Sequence, residues 1–212
     1  LIRSRGLGDV YKRQAKASKI YLGNKSIIIN NGVSNMPMKS SLHKDKFINS
    51  DLKDTYISVI SICRFVRQKN INEILNIAFK LPNLKFYIIG NGPLWPQIDD
   101  LIKNKNLKNV SLLGEKKNIF EYLYKSDSYL SSSLYEGLPI SILEAMSIGL
   151  PIVASKVIGN CDAIDHGKSG FLYELHNVNN AVYYLKKLSG NIDLIGDCLL
   201  YTSDAADEWR SV

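Results

Sequence analysis

The stretch that decides the fold runs from Ser128 to Ser155 and reads SYLSSSLYEGLPISILEAMSIGLPIVAS. Short β-type runs at Ser128–Ser131 and Pro151–Ala154 flank a segment, Ile140–Ser147, whose apolar residues recur at helical spacing. A strand, a helix and a second strand in so short a stretch predict a right-handed βαβ crossover between parallel strands.

The same alternation continues in both directions along the chain. The predicted strands are Tyr56–Cys63, Leu84–Ile89, Val110–Leu113, Ser128–Ser131, Pro151–Ala154 and Gly170–Tyr173. The predicted helices are Ile71–Phe79, Leu94–Asn104, Ile119–Tyr124, Ile140–Ser147 and Val178–Leu188. This pattern predicts an α/β fold with a Rossmann-like parallel sheet flanked by helices. Ligands of such sheets bind beyond the carboxyl ends of the strands, so the residues that follow each strand are the candidates for a site.

Composition and charge exclude several classes of protein. The 212 residues are 45% hydrophobic and 22% charged, which is typical of a soluble globular protein and excludes a mainly disordered or collagen-like chain. No apolar run approaches the roughly 18–20 residues of a membrane span. The net charge is +7, but the basic residues are scattered, so nucleic acid is not an expected partner. Three widely spaced cysteines predict reduced thiols in a cytoplasmic protein, and neither they nor the histidines have metal-ligand spacing.

The two ends of the chain differ from the rest. Residues 1–14 and 198–212 do not continue the neighbouring periodicity and resemble translated sequencing-adaptor read-through, so we interpret them as non-native extensions. Real but poorly ordered termini are the alternative. Between them, residues 15–55 contain an Asn31-Gly32 turn signal and a polar linker, and residues 56–197 form the α/β domain.

The loop and helix that begin at Glu136 carry the strongest candidate site. Glu136 precedes the predicted helix and Glu144 lies within it, with seven residues between them. Gly137 lets backbone approach a ligand closely, and Pro139 suits the first turn of a helix. The free amides and the dipole of that helix favour an anion. One segment thus predicts donors for phosphate groups and two carboxylates for sugar hydroxyls.

Two other loops follow predicted strands. Arg64 and Lys69 come after the first strand, where a guanidinium and an ammonium can neutralise a diphosphate, although a solvated basic loop is the simpler interpretation of this loop alone. The segment Gly90–Pro93 follows the second strand, and Trp95 stands where a dinucleotide fingerprint needs its third glycine. This excludes the hydride-transfer motif and favours a tight turn.

Taken together, these motifs resemble the group-1 (family 4) glycosyltransferases, retaining enzymes of the two-domain GT-B fold. The block E-G-L-P-x-S-x-L-E-A-M-x-x-G-x-P is similar to the family signature, with Glu136 and Glu144 matching its E-x7-E pair and Arg64 and Lys69 its R-x4-K element. Further matches are Asn31-Gly32-Val33, Ile88–Pro93, Val110–Gly114 and Gly159–Ile164, where Asp162 stands for the more usual Glu.

The resemblance implies a hexosyltransferase whose nucleotide-sugar donor binds on residues 56–197 without a metal or other cofactor. The donor is a UDP-sugar or a GDP-sugar, and UDP is favoured. By analogy Glu144 binds ribose hydroxyls and Glu136 contacts the donor sugar. Arg64 and Lys69 hold the diphosphate and stabilise the charge that grows on it as the glycosidic bond breaks. The remaining donor-binding positions implied by the resemblance are Gly114, Gly137, Leu138, Pro139 and Ile140.

The resemblance also implies partners and leaves alternatives open. A glycan or lipid-linked acceptor would bind mainly to an N-terminal domain of which residues 15–55 are only the end, so we expect this chain to bind donor without transferring sugar. We further expect a cytoplasmic enzyme, with peripheral association at the inner membrane face. A GT-B sugar-nucleotide epimerase is one alternative, disfavoured because the E-x7-E block is a transferase signature. A non-catalytic nucleotide-sugar-binding module is the other.

Overall fold

The structure is a computed structural model that describes residues 57–190. The predictions for residues 1–14, 15–55 and 198–212, including the Asn31-Gly32-Val33 turn, lie outside this range. The described strands are β1 (Ser58–Ile62), β2 (Lys85–Ile89), β3 (Val110–Gly114), β4 (Ser128–Ser131), β5 (Ile152–Ser155) and β6 (Phe171–Tyr173). The described helices are α1 (Ile71–Lys80), α2 (Trp95–Asn104), α3 (Ile119–Lys125), α4 (Ile140–Ser147), α5 (Ile158–Ala163) and α6 (Val178–Gly190).

The six described strands form one parallel sheet in the order β3-β2-β1-β4-β5-β6. This is the strand order of a doubly wound nucleotide-binding sheet, and the direction of winding reverses between β1 and β4. The predicted α/β fold with a Rossmann-like sheet is confirmed. The reversal opens a crevice between the loops that follow β1 and β4, and these loops carry Arg64, Lys69 and Glu136.

Helices cover both faces of the sheet, which is why its strands read as short, continuous apolar runs. Successive residues of β1 point to opposite faces, and both Val59 and Ile60 are buried. Val59 belongs to an apolar cluster with α1, α2 and α6, whereas Ile60 belongs to a second cluster with α3 and α4. Among the described helices, none is long and apolar enough to cross a bilayer.

The described elements agree with the sequence predictions to within one or two residues, except for two short additions. One is a turn of 3₁₀ helix at Arg67–Lys69, and the other is α5. Helix α5 contains glycine, asparagine and aspartate, which are poor helix formers, and it is too short to show a period. A buried side-chain hydrogen bond ties it to the end of β5: Asn160 donates from Nδ2 to the Ser155 carbonyl at 2.9 Å.

Candidate functional site

The candidate site is the crevice between the carboxyl ends of β1 and β4. Its lining is mainly polar and comprises Ser61, Ile62, Cys63, Lys69, Ile74, Tyr129, Leu130, Ser131, Ser132, Ser133, Glu136 and Ser141. The crevice therefore brings together residues from the loops after two strands that are far apart in sequence and adjacent in the sheet.

An ion pair spans this crevice. Lys69 Nζ lies 2.5 Å from Glu136 Oε1, and the two side chains are 22% and 8% exposed. The Ser133 hydroxyl donates to the same Oε1 at 2.6 Å. Two sequence-predicted site residues are thus in direct contact, and one carboxylate oxygen of Glu136 receives both donors.

Hydrogen bonds between the two loops hold that arrangement. The Leu134 amide donates to the Gln68 carbonyl at 2.8 Å, and Gln68 Nε2 donates to the Tyr135 carbonyl at 2.8 Å. The Ser132 hydroxyl lies 2.9 Å from the Lys69 carbonyl and 3.0 Å from that of Asn70. These contacts fix the end of the 3₁₀ turn, and with it Lys69, against the loop that carries Glu136.

The surroundings of the Arg64 side chain differ from those of Lys69. Its side chain is exposed and makes no hydrogen bond or ion pair with the residues that the structure describes. The adjacent Phe65 is buried, and its amide donates to the Asn91 carbonyl at 2.8 Å. A Cβ at Gly92 would lie 2.6 Å from the Phe65 carbonyl oxygen. The Gly90–Pro93 turn therefore anchors the Arg64 loop from behind, while the guanidinium remains available to a ligand.

Glu144 projects from α4 and is half-buried. Desolvation raises the pKa of its carboxyl group above the usual glutamate value. Within residues 57–190 no side chain or amide donates to this carboxylate. A partly desolvated acceptor with no protein donor is suited to receive hydroxyl groups from a ligand.

The segment before α4 differs slightly from the prediction. Pro139 is the N-cap residue rather than part of the first turn, and its carbonyl accepts from the amides of Ile142 and Leu143. The Ile140 amide already donates to the Leu138 carbonyl at 3.0 Å. In this segment the amides of Gly137, Leu138 and Ser141 make no hydrogen bond to other described residues.

The space in front of Gly137 is open toward the described residues, because a Cβ there would meet none of their atoms within 4 Å beyond its chain neighbours. Behind the same loop the packing is tight: a Cβ at Gly159 would lie 2.2 Å from the Gly137 carbonyl oxygen. Helix α5 therefore supports the loop from one side and leaves the other side accessible. Gly114 lies apart from the crevice, at the carboxyl end of β3 with a φ of 70°, two strands from β1.

The Cys63 thiol and the Tyr129 hydroxyl also line the crevice, and both are in their protonated forms at neutral pH. Burial raises the pKa of the Cys63 thiol to about 12, so the thiol is protonated at neutral pH and is not a nucleophile. Burial also raises the pKa of Tyr129, whose hydroxyl lies 2.8 Å from Ser141 Oγ. In the described part of the chain, no group of three or more His, Cys, Asp or Glu side chains is arranged to hold a metal ion.

Sequence reasoning missed Ser133, Ser141 and the supporting role of Gly159. Ser133 lies three residues before Glu136 and Ser141 three before Glu144, so the quoted block contained both. Nothing in their local pattern distinguishes a hydroxyl that lines the crevice from one on an ordinary surface, and that distinction depends on the tertiary structure.

Several proteins named as glycosyltransferases are similar in sequence to this chain. An uncharacterised glycosyltransferase of Methanocaldococcus jannaschii is 35% identical over 141 residues, which are 63% of this chain and 34% of that protein. The UDP-Gal:alpha-D-GlcNAc-diphosphoundecaprenol alpha-1,3-galactosyltransferase of Escherichia coli is 36% identical over 114 residues, 51% of this chain and 29% of that protein. The chain thus spans about a third of the length of these relatives.

The fold matches solved glycosyltransferase structures. TarM superposes with a TM-score of 0.76 and 27% identity, covering 93% of this chain and 40% of TarM. A mutant of Staphylococcus aureus TarM, in complex with fondaparinux, alpha-GlcNAc-glycerol and UDP, gives a TM-score of 0.71 at 28% identity, covering 91% of this chain and 38% of that one.

The family profile "Glycosyl transferases group 1" matches residues 43–193, a range that contains the whole described sheet and the crevice. On that match, the chain belongs to the group 1 glycosyltransferases.

Proposed function

We propose that the crevice binds the nucleotide-sugar donor of a retaining glycosyltransferase that transfers a hexosyl unit. One observation carries the proposal: the two loops at the switch point of the sheet carry an exposed guanidinium without a partner among the described residues, an ammonium–carboxylate pair, and unbonded amides before a helix. Clefts at such switch points are where doubly wound sheets bind nucleotides.

Arg64 and Lys69 hold the diphosphate in this proposal. Arg64 is exposed and unpaired among the described residues, and Lys69 keeps two further N–H bonds beyond the one directed at Glu136. The open amides of Gly137, Leu138 and Ser141 add donors at the N-terminus of α4. Fixed positive charge placed where negative charge develops lowers the barrier to bond cleavage. We therefore expect donor binding to need no added metal.

The two glutamates have separate roles in this proposal. Half-buried Glu144, with no donor among the described residues, accepts hydrogen bonds from the ribose hydroxyls. Glu136 contacts the donor sugar through the oxygen that Lys69 and Ser133 leave free. UDP is favoured over GDP because the Escherichia coli relative is named for UDP-Gal and the TarM complex contains UDP.

The acceptor is proposed to be a glycan or a lipid-linked saccharide bound mainly outside the described residues. The relatives are named as transferases, one acting on a diphosphoundecaprenol-linked sugar and another, from Staphylococcus aureus, on poly(ribitol-phosphate). These names favour transfer over epimerisation. We expect this chain alone to bind donor without useful turnover, since group transfer depends on holding donor and acceptor together. A lipid-linked acceptor implies that the full-length enzyme associates peripherally with the membrane.

Calorimetry with UDP and GDP, in the presence of EDTA, tests the proposal. Wild-type protein is expected to bind UDP, and the Arg64→Ala, Lys69→Ala double variant to lose most of that affinity. Lys103→Ala is the matched control, because Lys103 forms an ion pair with Asp99 on α2, away from the crevice. Equal UDP binding by wild type and the double variant would contradict the diphosphate assignment.

A further inference from the structure

Glu136 is held through one of its two carboxylate oxygens. Lys69 Nζ and Ser133 Oγ both donate to Oε1, at 2.5 and 2.6 Å, and no other donor to this side chain is present in residues 57–190. Ser133 itself is 2% exposed. A buried hydroxyl this close to a carboxylate makes a charge-assisted hydrogen bond, one of the stronger kinds in proteins.

The position of Ser133 is fixed from behind the loop. The Ser155 hydroxyl donates to the Ser133 carbonyl at 2.6 Å, and both Ser155 and Asn160 are fully buried. Asn160 Nδ2 in turn donates to the Ser155 carbonyl at 2.9 Å. A continuous set of hydrogen bonds therefore runs from α5 through β5 to the residue whose hydroxyl contacts Glu136. This rigid support distinguishes Ser133 from a solvated loop serine.

From this geometry we infer that Ser133 is a positioning residue that orients Glu136 toward the donor sugar. The inference rests on the proposed function, in which Glu136 contacts that sugar. With Oε1 occupied by Ser133 and Lys69, only Oε2 remains to accept a sugar hydroxyl, so the carboxylate has one productive orientation.

Ser133 matters most when the donor is bound. The diphosphate and Glu136 then compete for the Lys69 ammonium, so the ion pair is weaker than in the free protein. The Ser133 hydroxyl carries no charge and does not take part in that competition. It is the one donor from the described residues that keeps Glu136 in place throughout, and its loss affects recognition of the sugar more than recognition of UDP.

The test measures how much more tightly the full chain binds a UDP-sugar than UDP, by calorimetry with UDP, UDP-glucose, UDP-galactose and UDP-N-acetylglucosamine. The preferred sugar defines a ratio of affinities for each variant. Ser133→Ala is expected to lower this ratio about three- to tenfold, and Glu136→Gln at least as much. Adding Ser133→Ala to Glu136→Gln is expected to change the ratio no further, because the residue that Ser133 orients has already lost its charge.

Two variants separate positioning from packing. Ser126→Ala removes another buried hydroxyl, one that donates to the Tyr122 carbonyl near the amino end of β4 and away from the crevice, and is expected to leave the ratio unchanged. Ser133→Cys replaces the hydroxyl by a larger thiol, which is a much weaker donor, so it leaves no cavity. It is expected to lower the ratio like Ser133→Ala even if the alanine variant folds poorly.

The possible outcomes distinguish the inference from the function on which it rests. If Glu136→Gln lowers the ratio while Ser133→Ala and Ser133→Cys do not, the inference is overturned and the proposed function stands. Fully additive effects of Ser133→Ala and Glu136→Gln overturn the inference as well, since Ser133 then acts independently of Glu136. A wild-type ratio of one for all three sugars, or a ratio unaffected by Glu136→Gln, overturns the proposed role of Glu136 itself.

Discussion

Replacing Glu136 by glutamine should tighten the binding of free UDP. In the structure the Glu136 carboxylate lies 2.5 Å from Lys69 Nζ, so it neutralises one of the two cations proposed to hold the diphosphate. UDP lacks the sugar that Glu136 is proposed to contact, and therefore meets only the competing negative charge. Glutamine keeps the shape of the side chain and removes that charge.

The size of the effect follows from the geometry of one ammonium group. Two acceptors on different N–H bonds of Lys69 lie about 4.6 Å apart, from the tetrahedral angle and hydrogen bonds of about 2.8 Å. At that separation, with an effective dielectric constant of about 20, a carboxylate and a phosphate oxygen repel by at most about 3.6 kcal/mol. Lys69 is 22% exposed, so solvent reduces the repulsion. We expect about 1–2 kcal/mol, or UDP binding about five- to thirtyfold tighter.

Calorimetry with UDP at low and moderate salt measures this change, and the gain should shrink as salt rises. The gain should be smaller when Glu136→Gln is combined with Lys69→Met, because without the shared ammonium the phosphate is no longer drawn so close to residue 136. UDP affinity that falls in Glu136→Gln, or that rises equally in the Lys69→Met background, would show that Lys69 and the diphosphate do not compete as proposed.

The remaining predictions concern Glu144, Gly137 in the loop, Gly159 in α5, and the core. Glu144→Gln should weaken UDP and UDP-sugar alike by about one to two decades in titrations. Because burial raises the pKa of Glu144, the carboxyl group favours folding below the ordinary glutamate pKa and opposes it above the raised value. Glu144→Gln should therefore raise the Tm at pH 8, and thermal melts at pH 3.5 should show no such gain. Gly159→Ala should cost about 1–3 kcal/mol in urea unfolding, because its Cβ would meet the Gly137 carbonyl at 2.2 Å. Gly137→Ala should leave stability nearly unchanged but weaken UDP. Ile60→Ala should cost about 2–5 kcal/mol in the same unfolding assay, since Ile60 is fully buried.

Much of the α/β architecture was predictable because its signals are local. Short apolar runs such as Phe86–Ile89 need cover on both faces, and helical spacing such as that of Ile71, Ile74 and Leu75 marks the helices that supply it. The sequence also predicted Arg64, Lys69, Glu136 and Glu144 as candidate site residues, because each lies just after a predicted strand or within the signature block.

Tertiary structure alone decided which of these residues meet. Lys69 and Glu136 are 67 positions apart, and their contact depends on β1 pairing with β4 rather than with another strand. No local period encodes the order of strands, since crossovers of similar length can place a strand at several positions in the sheet. The packing of α5 behind the Gly137 loop could not be predicted from the sequence for a related reason. Its intrinsic helix propensity is poor, and Gly159 meets the Gly137 carbonyl only once the sheet has brought the two segments together.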